Sequence, residues 1–247
     1  MIRKFGLIGK TLQHSFSPKY FTEKFKNENI NAQYLPYELE DISMVTNLLT
    51  LDGLIGFNVT IPYKEKIIDY LDELGEEAAE LSAVNTVHIS DGRVIGYNTD
   101  VYGFRISLLT FLGDWNWDFK ALILGTGGAS KAVAWVLNDL AIDHLFVSRS
   151  KGDLRYNEIT QDLMNSHKLI INTTPLGTYP DTLSMPDIPI DYITENHYIF
   201  DLVYNPPATK LLRMAKQKGA MVRNGAEMLQ LQADASWLIW NKNKDLS

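Results

Sequence analysis

The chain has 247 residues, a formal net charge of −7 and no cysteine. This length is long for one compact domain and sufficient for two, each with a core of its own. The acidic balance, without a long basic run, argues against a nucleic-acid partner, because phosphate neutralisation needs clustered Lys and Arg. Without cysteine, disulfides and thiolate metal sites are excluded. We therefore expect two domains that bind small molecules, and no metal.

The N-terminal apolar run, residues 5–8, ends at Gly9 and is too short for a signal peptide. No stretch of the sequence reaches the apolar length that is needed to cross a bilayer. The sequence therefore predicts no membrane partner and a cytoplasmic location.

In the first hundred residues, short apolar runs alternate with helical patterns, which predicts an α/β unit. The predicted elements are strands at residues 5–8 and 54–61 and helices at residues 20–25 and 67–74. Residues 83–89 and 94–97 flank Asp91-Gly92, a pair that favours a tight turn between antiparallel strands. One β-hairpin is therefore expected in this unit.

The second unit begins after an irregular, aromatic segment at residues 113–119, and a helix predicted at residues 101–112 joins the two units. Its predicted elements are strands at residues 121–124, 145–147, 169–171, 199–202 and 221–222 and helices at residues 129–140 and 209–218. This order predicts a Rossmann-like, doubly wound nucleotide-binding domain. A last helix is predicted at residues 225–240.

The strand predicted at residues 121–124 runs into Gly125-Thr126-Gly127-Gly128-Ala129, a glycine loop that opens a helix. Gly125 permits the turn, Gly127 lets the backbone approach phosphate, and the helix start supplies N–H groups that have no partner within the helix. At this position the loop predicts a dinucleotide-binding site.

The next strand ends in Ser148-Arg149-Ser150, near the position where an NAD enzyme places an acid for the ribose hydroxyls. No acid is present, and the permanent charge and paired donors of Arg149 suit a 2′-phosphate. NADP is therefore favoured over NAD. The alternative is that Arg149 is a solvent-exposed residue at a strand end.

Ser15 and Ser17 come just before a predicted helix with Pro18 at its first position, so both hydroxyls can face an anion such as a carboxylate. In the alternative interpretation, Ser17 only caps this helix.

Asn58, Thr60 and Lys64 follow a strand end and indicate a pocket. A lysine can protonate the oxyanion that forms when a ketone accepts hydride, so Lys64 is the predicted general acid/base; a solvated surface lysine is the alternative. Asn85 and Asp100 end two neighbouring strand patterns, where they would recognise hydroxyl groups. Alternatively, Asn85 satisfies a turn and Asp100 caps the following helix.

Together, these residues resemble the shikimate dehydrogenase family over nearly the whole chain. The matching motifs are Ser15-x-Ser17-Pro18, Asn58-Val59-Thr60-Ile61-Pro62-Tyr63-Lys64, Ala83-Val84-Asn85-Thr86, Asn98-Thr99-Asp100, Gly125-Thr126-Gly127-Gly128-Ala129-Ser130, Ile171-Asn172-Thr173-Thr174-Pro175-x-Gly177, Asp201-Leu202-Val203-Tyr204 and Asn224-Gly225-x-x-Met228-Leu229-x-x-Gln232-Ala233.

The resemblance implies a reversible reduction of 3-dehydroshikimate by NADPH to shikimate, a step of chorismate and aromatic amino acid biosynthesis, in a cleft between two α/β domains. It implies a discontinuous substrate domain, residues 1–101 and 226–247, around an NADP-binding domain, residues 102–225. Ser15 and Ser17 would bind the carboxylate, Lys64 would exchange the proton and Asp100 would orient Lys64. The other implied substrate contacts are Asn58, Thr60, Asn85, Tyr204 and Gln232, and the implied cofactor contacts are Gly125, Thr126, Gly127, Gly128, Ala129, Ser148, Arg149, Thr173 and Gly225.

The chain departs from the family pattern between residues 150 and 168, where little room is left for the usual helix and strand. The preceding loop reads Ser148-Arg149-Ser150 rather than Asn-Arg-Thr, and Lys151 stands near the place of a second arginine. We therefore expect a weaker preference for NADP than is usual in the family.

Other functions remain compatible with these motifs. One is a quinate/shikimate dehydrogenase with relaxed NAD and NADP use, and another is a non-catalytic shikimate or nucleotide sensor of the same fold. The joint presence of Lys64 and Asp100 favours an enzyme over the sensor. A folate-linked dehydrogenase would have no evident use for Gln232 or the serine pair. A monomer or a homodimer is expected.

Overall fold

The computed structural model describes residues 2–13, 15–113 and 118–241. The chain divides into two compact units, of which unit 1 comprises Met1–Thr99 and Gln232–Ser247 and unit 2 comprises Asp100–Leu231. Part of the irregular segment predicted at residues 113–119, and the end of the predicted C-terminal segment beyond Asn241, lie outside the described residues. The assignment of substrate and cofactor to separate domains stays a prediction at this point.

Unit 1 is built on a six-stranded mixed sheet with the strand order β2-β1-β3-β5-β6-β4. Its strands are β1 (Arg3–Gly9), β2 (Ala32–Glu38), β3 (Leu54–Val59), β4 (Glu73–Leu74), β5 (Thr86–Ser90) and β6 (Arg93–Tyr97). Its complete helices are α1 (Phe16–Asn27), α2 (Val45–Leu49) and α3 (Glu76–Leu81). The boundary with unit 2 falls within α4 (Thr99–Leu112) and α8 (Ala226–Ile239).

The sheet of unit 1 is buried on both faces, which explains the continuous apolar run of β1. Phe5 and Leu7 belong to a cluster with aromatic residues of α1 and with Trp240, whereas Ile8 belongs to the cluster on the opposite face. Successive side chains of a strand point to opposite faces, so one apolar strand supplies both cores.

The predicted hairpin is confirmed, because β5 and β6 pair as antiparallel neighbours. Asp91 and Gly92 have φ angles of 53° and 74°, the left-handed conformation that this turn requires. The helix predicted at residues 67–74 is wrong beyond Tyr70: a 3-10 helix spans Lys66–Tyr70, and Glu73–Leu74 pairs in parallel with β6. Apolar spacing predicted burial here but not the change of backbone conformation.

Unit 2 contains a five-stranded parallel sheet with the strand order β11-β10-β9-β7-β8. Its strands are β7 (Ala121–Leu124), β8 (His144–Val147), β9 (Leu169–Asn172), β10 (Tyr198–Asp201) and β11 (Met221–Asn224). The helices within it are α5 (Gly128–Asp139), α6 (Gln161–Ser166) and α7 (Lys210–Gln217). The predicted α/β fold with a doubly wound second unit is therefore confirmed.

The second sheet corresponds to a doubly wound sheet that lacks the strand outside β8. In its place, Leu154 forms a single parallel bridge with Val147. The short segment between residues 150 and 168 therefore contains one bridge, a 3-10 helix at Tyr156–Glu158 and the six-residue helix α6. Within the described residues, no helix is long and apolar enough to cross a membrane.

Candidate active site

The start of α1 places Ser15 and Ser17 differently from the expectation. The helix begins at Phe16, so Pro18 is not its first residue, and Ser15 rather than Ser17 occupies the N-cap position. The interpretation of Ser17 as the cap is therefore wrong. Among the described residues, Ser15 makes no side-chain cap bond. Ser17 is buried and makes a side-chain hydrogen bond with Tyr34. Burial raises the pKa of the Tyr34 phenol well above its usual value, and the hydrogen bond with Ser17 opposes this rise.

Asn58 lies at the end of β3, where the antiparallel register places it opposite Thr86 of β5. Its side chain is only 4% exposed. The Tyr34 hydroxyl donates to Asn58 Oδ1 at 2.8 Å, and Asn58 Nδ2 donates to Thr86 Oγ1 at 3.0 Å and to Ser236 Oγ at 2.9 Å. The amide of Asn58 is therefore held on both sides within unit 1.

Asn85 is also buried and joins the same network. Its Oδ1 atom accepts from the Thr99 backbone N–H at 2.7 Å, and its Nδ2 atom donates to Gln232 Oε1 at 3.4 Å. Thr99 Oγ1 lies 3.5 Å from the same oxygen of Gln232. The part of α8 that belongs to unit 1 thus places Gln232 beside Asn85, although the two residues are 147 positions apart in the sequence. Their contact with a substrate stays a prediction.

The other predicted residues of this group are half-buried. Thr60 and Lys64 follow β3, and the backbone oxygen of Lys64 accepts from the Val84 N–H at 2.8 Å, next to Asn85. Asp100 lies inside the first turn of α4, because this helix begins at Thr99; the interpretation of Asp100 as its cap is therefore wrong. In unit 2, Tyr204 follows β10, and burial raises the pKa of its phenol.

A cavity of about 320 Å³ in unit 2 opens at the carboxyl ends of β7, β8 and β9. It is lined by Gly125, Thr126, Gly127, Ser148, Arg149, Ser150, Tyr156, Thr173, Thr174, Pro175 and Leu176. Six of the predicted cofactor residues are among them, and Gly128 and Ala129 follow directly in the first turn of α5. Ligands of doubly wound sheets bind at this edge.

The glycine loop has the backbone that a phosphate site needs. Gly125 has φ +105°, and a Cβ atom there would lie 2.9 Å from Thr173 Oγ1, so only glycine fits without strain. At Gly127 and Gly128, an added Cβ would have no described atom within 4 Å. The loop thus leaves open the space in front of the α5 N-terminus, where N–H groups and the helix dipole favour an anion.

Ser148 shapes the loop that carries Arg149. Its hydroxyl oxygen accepts from the backbone N–H groups of Ser150 at 3.2 Å and Lys151 at 2.8 Å, and the side chain is buried. Arg149 itself is exposed at the cavity. Burial raises the pKa of the Tyr156 phenol, and the positive charge of Arg149 opposes this rise. The loop therefore presents a cation and a phenol to the same space.

Asp201 is fully buried at the end of β10. Its Oδ2 atom accepts from Thr209 Oγ1 at 2.6 Å, and its Oδ1 atom accepts from Asn172 Nδ2 at 2.9 Å and from the Val203 N–H at 3.1 Å. Asn172 Oδ1 in turn accepts from Thr174 Oγ1 at 2.7 Å. Burial raises the pKa of Asp201, and these three hydrogen bonds to the carboxylate lower it. The group fixes the loops that follow β9 and β10.

Gly225 is not among the residues that line the cavity. It follows β11, and a Cβ atom at this position would approach the Leu202 backbone oxygen to 2.1 Å. A close approach of two backbone segments therefore requires glycine here. Its predicted contact with a cofactor stays a prediction.

Sequence reasoning missed several residues of these sites. Tyr34 and Ser236 complete the network of unit 1, and Tyr156 lines the cavity of unit 2. Tyr34 and Ser236 are buried polar residues, which a single sequence does not distinguish from surface ones. Tyr156 follows an irregular segment without a periodic pattern. Among the described residues, no group of three or more His, Cys, Asp or Glu side chains is arranged to hold a metal.

Comparison with known proteins shows that the chain is similar to a family of oxidoreductases. The model of the shikimate dehydrogenase substrate binding domain matches residues 7–87. The shikimate dehydrogenase (NADP(+)) of Methanococcus aeolicus is 37% identical over 254 residues, with 95% of this chain and 90% of the relative covered. The enzyme of the same name from Shouchella clausii is 37% identical, with 99% and 94% covered.

Among solved structures, shikimate 5-dehydrogenase from Thermus thermophilus, in complex with NADP(H) and shikimate, has a TM-score of 0.84 and 29% sequence identity. The alignment covers 98% of this chain and 94% of that chain. The chain belongs to the shikimate dehydrogenase family, and the resemblance found in its motifs is confirmed.

Proposed function

We propose that this protein is an NADP-dependent shikimate dehydrogenase, which reduces 3-dehydroshikimate to shikimate and catalyses the reverse oxidation. The observation that supports this most strongly is the coverage of the likeness, since full-length relatives of this name match 95% and 99% of the chain. The aligned part of the chain thus extends over both units. We assign the substrate to residues 1–101 and 226–247 and the cofactor to residues 102–225.

The substrate roles follow the chemistry of the groups in unit 1 and of Tyr204 in unit 2. We assign the carboxylate to Ser15 and Ser17, whose hydroxyls lie at the start of α1. Asn58, Thr60, Asn85, Tyr204 and Gln232 are assigned to the ring hydroxyls. The fixed amides of Asn85 and Gln232 support this, because a site with oriented polar groups discriminates strongly between ligands that do and do not pair with it.

Lys64 is assigned as the general acid/base. Reduction of the ketone forms an alkoxide, and a lysine ammonium can give it a proton; in the oxidation the neutral amine takes the proton from the hydroxyl. Asp100, which follows Thr99 at the start of α4, is assigned to orient Lys64. The local structure supports a site here. The backbone oxygen of Lys64 accepts from the N–H of Val84, next to Asn85, and the backbone N–H of Thr99 donates to Asn85 Oδ1.

The cavity of unit 2 fits a dinucleotide. NADPH, when bound, supplies the hydride. The open space at Gly127 and Gly128 suits a pyrophosphate at the start of α5, and Arg149 suits the 2′-phosphate. Gly125, Thr126, Ala129, Ser148, Thr173 and Gly225 complete the assigned cofactor residues. A cytoplasmic location and a monomeric or homodimeric state are further parts of this proposal.

The proposal is tested by following the nicotinamide absorbance of purified protein with shikimate or quinate and NADP or NAD, in all four pairings. We expect turnover with shikimate and NADP to exceed that of the other pairings. Comparable rates with quinate or NAD would favour a dehydrogenase of relaxed specificity. Measurable shikimate binding without turnover in any pairing would refute the proposal and indicate a sensor.

A further inference from the structure

Two fully buried hydroxyls connect the side-chain amides of Asn58 and Asn85, which the proposed function assigns to the substrate. Thr86 and Ser236 are each 0% exposed, and their oxygens lie 2.8 Å apart. Thr86 comes from β5 and Ser236 from α8, one helical turn after Gln232. We refer to Thr86 and Ser236 as the hydroxyl pair. At 0% exposure neither side chain can contact a ligand that arrives from solvent.

The hydroxyl pair accounts for the orientation of Asn58. The Nδ2 group has two hydrogens, and its acceptors are Ser236 Oγ at 2.9 Å, Thr86 Oγ1 at 3.0 Å and the Asn85 backbone oxygen at 3.2 Å. The two shortest contacts are thus to the hydroxyl pair. The opposite side of the amide accepts from Tyr34, which is hydrogen-bonded to Ser17.

The same pair contacts the side chain of Asn85 and the backbone of Gln232. Thr86 Oγ1 lies 3.1 Å from Asn85 Oδ1, and both hydroxyls are within 3.3 Å of Thr99 Oγ1. Ser236 Oγ donates to the Gln232 backbone oxygen at 2.9 Å. The hydroxyl of Ser236 has only one hydrogen, which is used in this bond, so its oxygen is the acceptor in the bond from Asn58 Nδ2. Removal of either hydroxyl leaves buried polar groups without one of their partners, which is costly.

We propose that Thr86 and Ser236 are positioning residues for the substrate, which fix the side-chain amides of Asn58 and Asn85 through one buried hydroxyl pair and act on the side chain of Gln232 only through Asn85. This inference rests on the proposed function, because it takes these amides as the groups that bind the ring hydroxyls. Rigid amides favour binding since no ordering is required when the ligand arrives.

The test uses the full chain and two substitutions that delete one hydroxyl each, Ser236→Ala and Thr86→Val. We expect each to raise the KM for shikimate about tenfold, while kcat and the KM for NADP change less than about twofold. The double variant should exceed the single variants only slightly, because both act on the same pair. Thr86→Ser keeps the hydroxyl and removes a methyl group, so it should lower thermal stability and leave the KM for shikimate near that of the unchanged protein.

Ser107→Ala is the matched control. Ser107 is also 0% exposed, and its hydroxyl donates to Glu227 Oε2 at 2.7 Å, in unit 2. This variant should lose stability without a change in the KM for shikimate. A second readout, the side-chain amide signals in ¹H–¹⁵N spectra, should show shifts of Asn58 and Asn85 in Ser236→Ala that exceed those in Ser107→Ala.

The outcomes separate this inference from the proposed function. Absence of turnover by the unchanged protein contradicts the proposed function, while the amide signals still decide whether the hydroxyl pair orients Asn58 and Asn85. An active unchanged protein with a normal KM in folded Ser236→Ala and Thr86→Val overturns the positioning role. Unchanged amide signals in both variants overturn it as well.

Discussion

The candidate sites of the two units consist of different chemical groups, mainly side chains in unit 1 and mainly backbone in unit 2. Apart from Lys64, unit 1 uses mainly neutral side chains, and its buried amides are held by hydrogen bonds to neighbouring side chains, as for Asn58 and Ser236 at 2.9 Å. Unit 2 uses backbone, with a glycine loop open to solvent and one exposed arginine at its rim. A site of the first kind recognises the positions of individual atoms, whereas a site of the second kind recognises charge.

This difference predicts different sensitivities. Loss of one partner in a buried network affects every group that is bonded to it. Loss of a side chain at an open backbone site removes only its own contact. Substitutions in the network of unit 1 should therefore alter recognition and chemistry of the ring, and substitutions in the glycine loop or at Arg149 should alter cofactor binding and leave the KM for shikimate unchanged. Each of the following substitutions can contradict this contrast.

The largest effect is expected at Lys64. Lys64→Ala should lower kcat by roughly a hundredfold or more, because the proton would lose its donor and acceptor, and should leave NADP affinity unchanged. The measurements are steady-state turnover of shikimate and the dissociation constant of NADP by calorimetry. The control is Lys66→Ala, at an exposed residue two positions further on. Near-normal turnover of Lys64→Ala would remove Lys64 from the chemistry.

Arg149 tests the charge-based site. Arg149→Ala should weaken NADP binding about tenfold and leave the KM for shikimate unchanged, because the guanidinium would no longer pair with the 2′-phosphate. Calorimetry with 2′,5′-ADP and with 5′-AMP isolates this contact, since only the former carries a 2′-phosphate. Lys151→Ala, two residues along the same loop, is the matched control. Equal losses for both nucleotides would mean that Arg149 does not read the phosphate.

Much of the fold was predictable because its signals are local. Glycine turns, Asp91-Gly92 and apolar strands depend on backbone conformation and on burial, and both are expressed in short stretches of sequence. Thr86 and Ser236 show the limit. They lie 150 positions apart in the chain, and only the folded sheet and α8 bring their oxygens to 2.8 Å. A polar residue that is buried by such a long-range contact has the same appearance in sequence as an exposed one.

Local signals also failed where one spacing of apolar residues is compatible with two backbone conformations. Ile67, Leu71 and Leu74 have helical spacing, yet the chain changes from a 3-10 helix to a strand after Tyr70. The N–H of Asp72 donates to the Val94 oxygen at 2.8 Å, so pairing with β6 determines the conformation. The candidate site was predicted by motifs rather than by spacing, and the motifs carry no information about Tyr156.

The two glycines of the loop give a sharper test of the open site. Gly125→Ala should lower both stability and NADP affinity, because φ is +105° and the Cβ would meet Thr173 Oγ1 at 2.9 Å; the strain is on the order of 1–3 kcal/mol. Gly127→Ala should weaken NADP binding with little change in melting temperature, since its Cβ would enter open space. Calorimetry and thermal unfolding of both variants provide the check. A normal NADP affinity in Gly127→Ala would mean that the cofactor does not approach this backbone.

The smallest effect is expected at Asp201. This residue is an exception to the difference between the units, because it is a buried carboxylate in unit 2, whereas the buried polar groups of the unit 1 network are neutral. Burial raises the pKa of Asp201 above the ordinary value of 3.8. The folded state therefore holds the proton more tightly than the unfolded state between 3.8 and the raised pKa. Over this window the unfolding free energy of the protein should fall as the pH rises.

Asp201→Asn removes the titration and keeps an oxygen that can accept from Asn172 or Val203. Relative to the unchanged protein, this variant should gain stability as the pH rises from 3.8 through the raised pKa, and the difference should then stay constant. Urea unfolding at several pH values measures it, and Asp181→Asn, at an exposed carboxylate, is the control. A difference that shrinks as the pH rises would show that the hydrogen bonds from Thr209, Asn172 and Val203 stabilise the ionised carboxylate more than burial destabilises it.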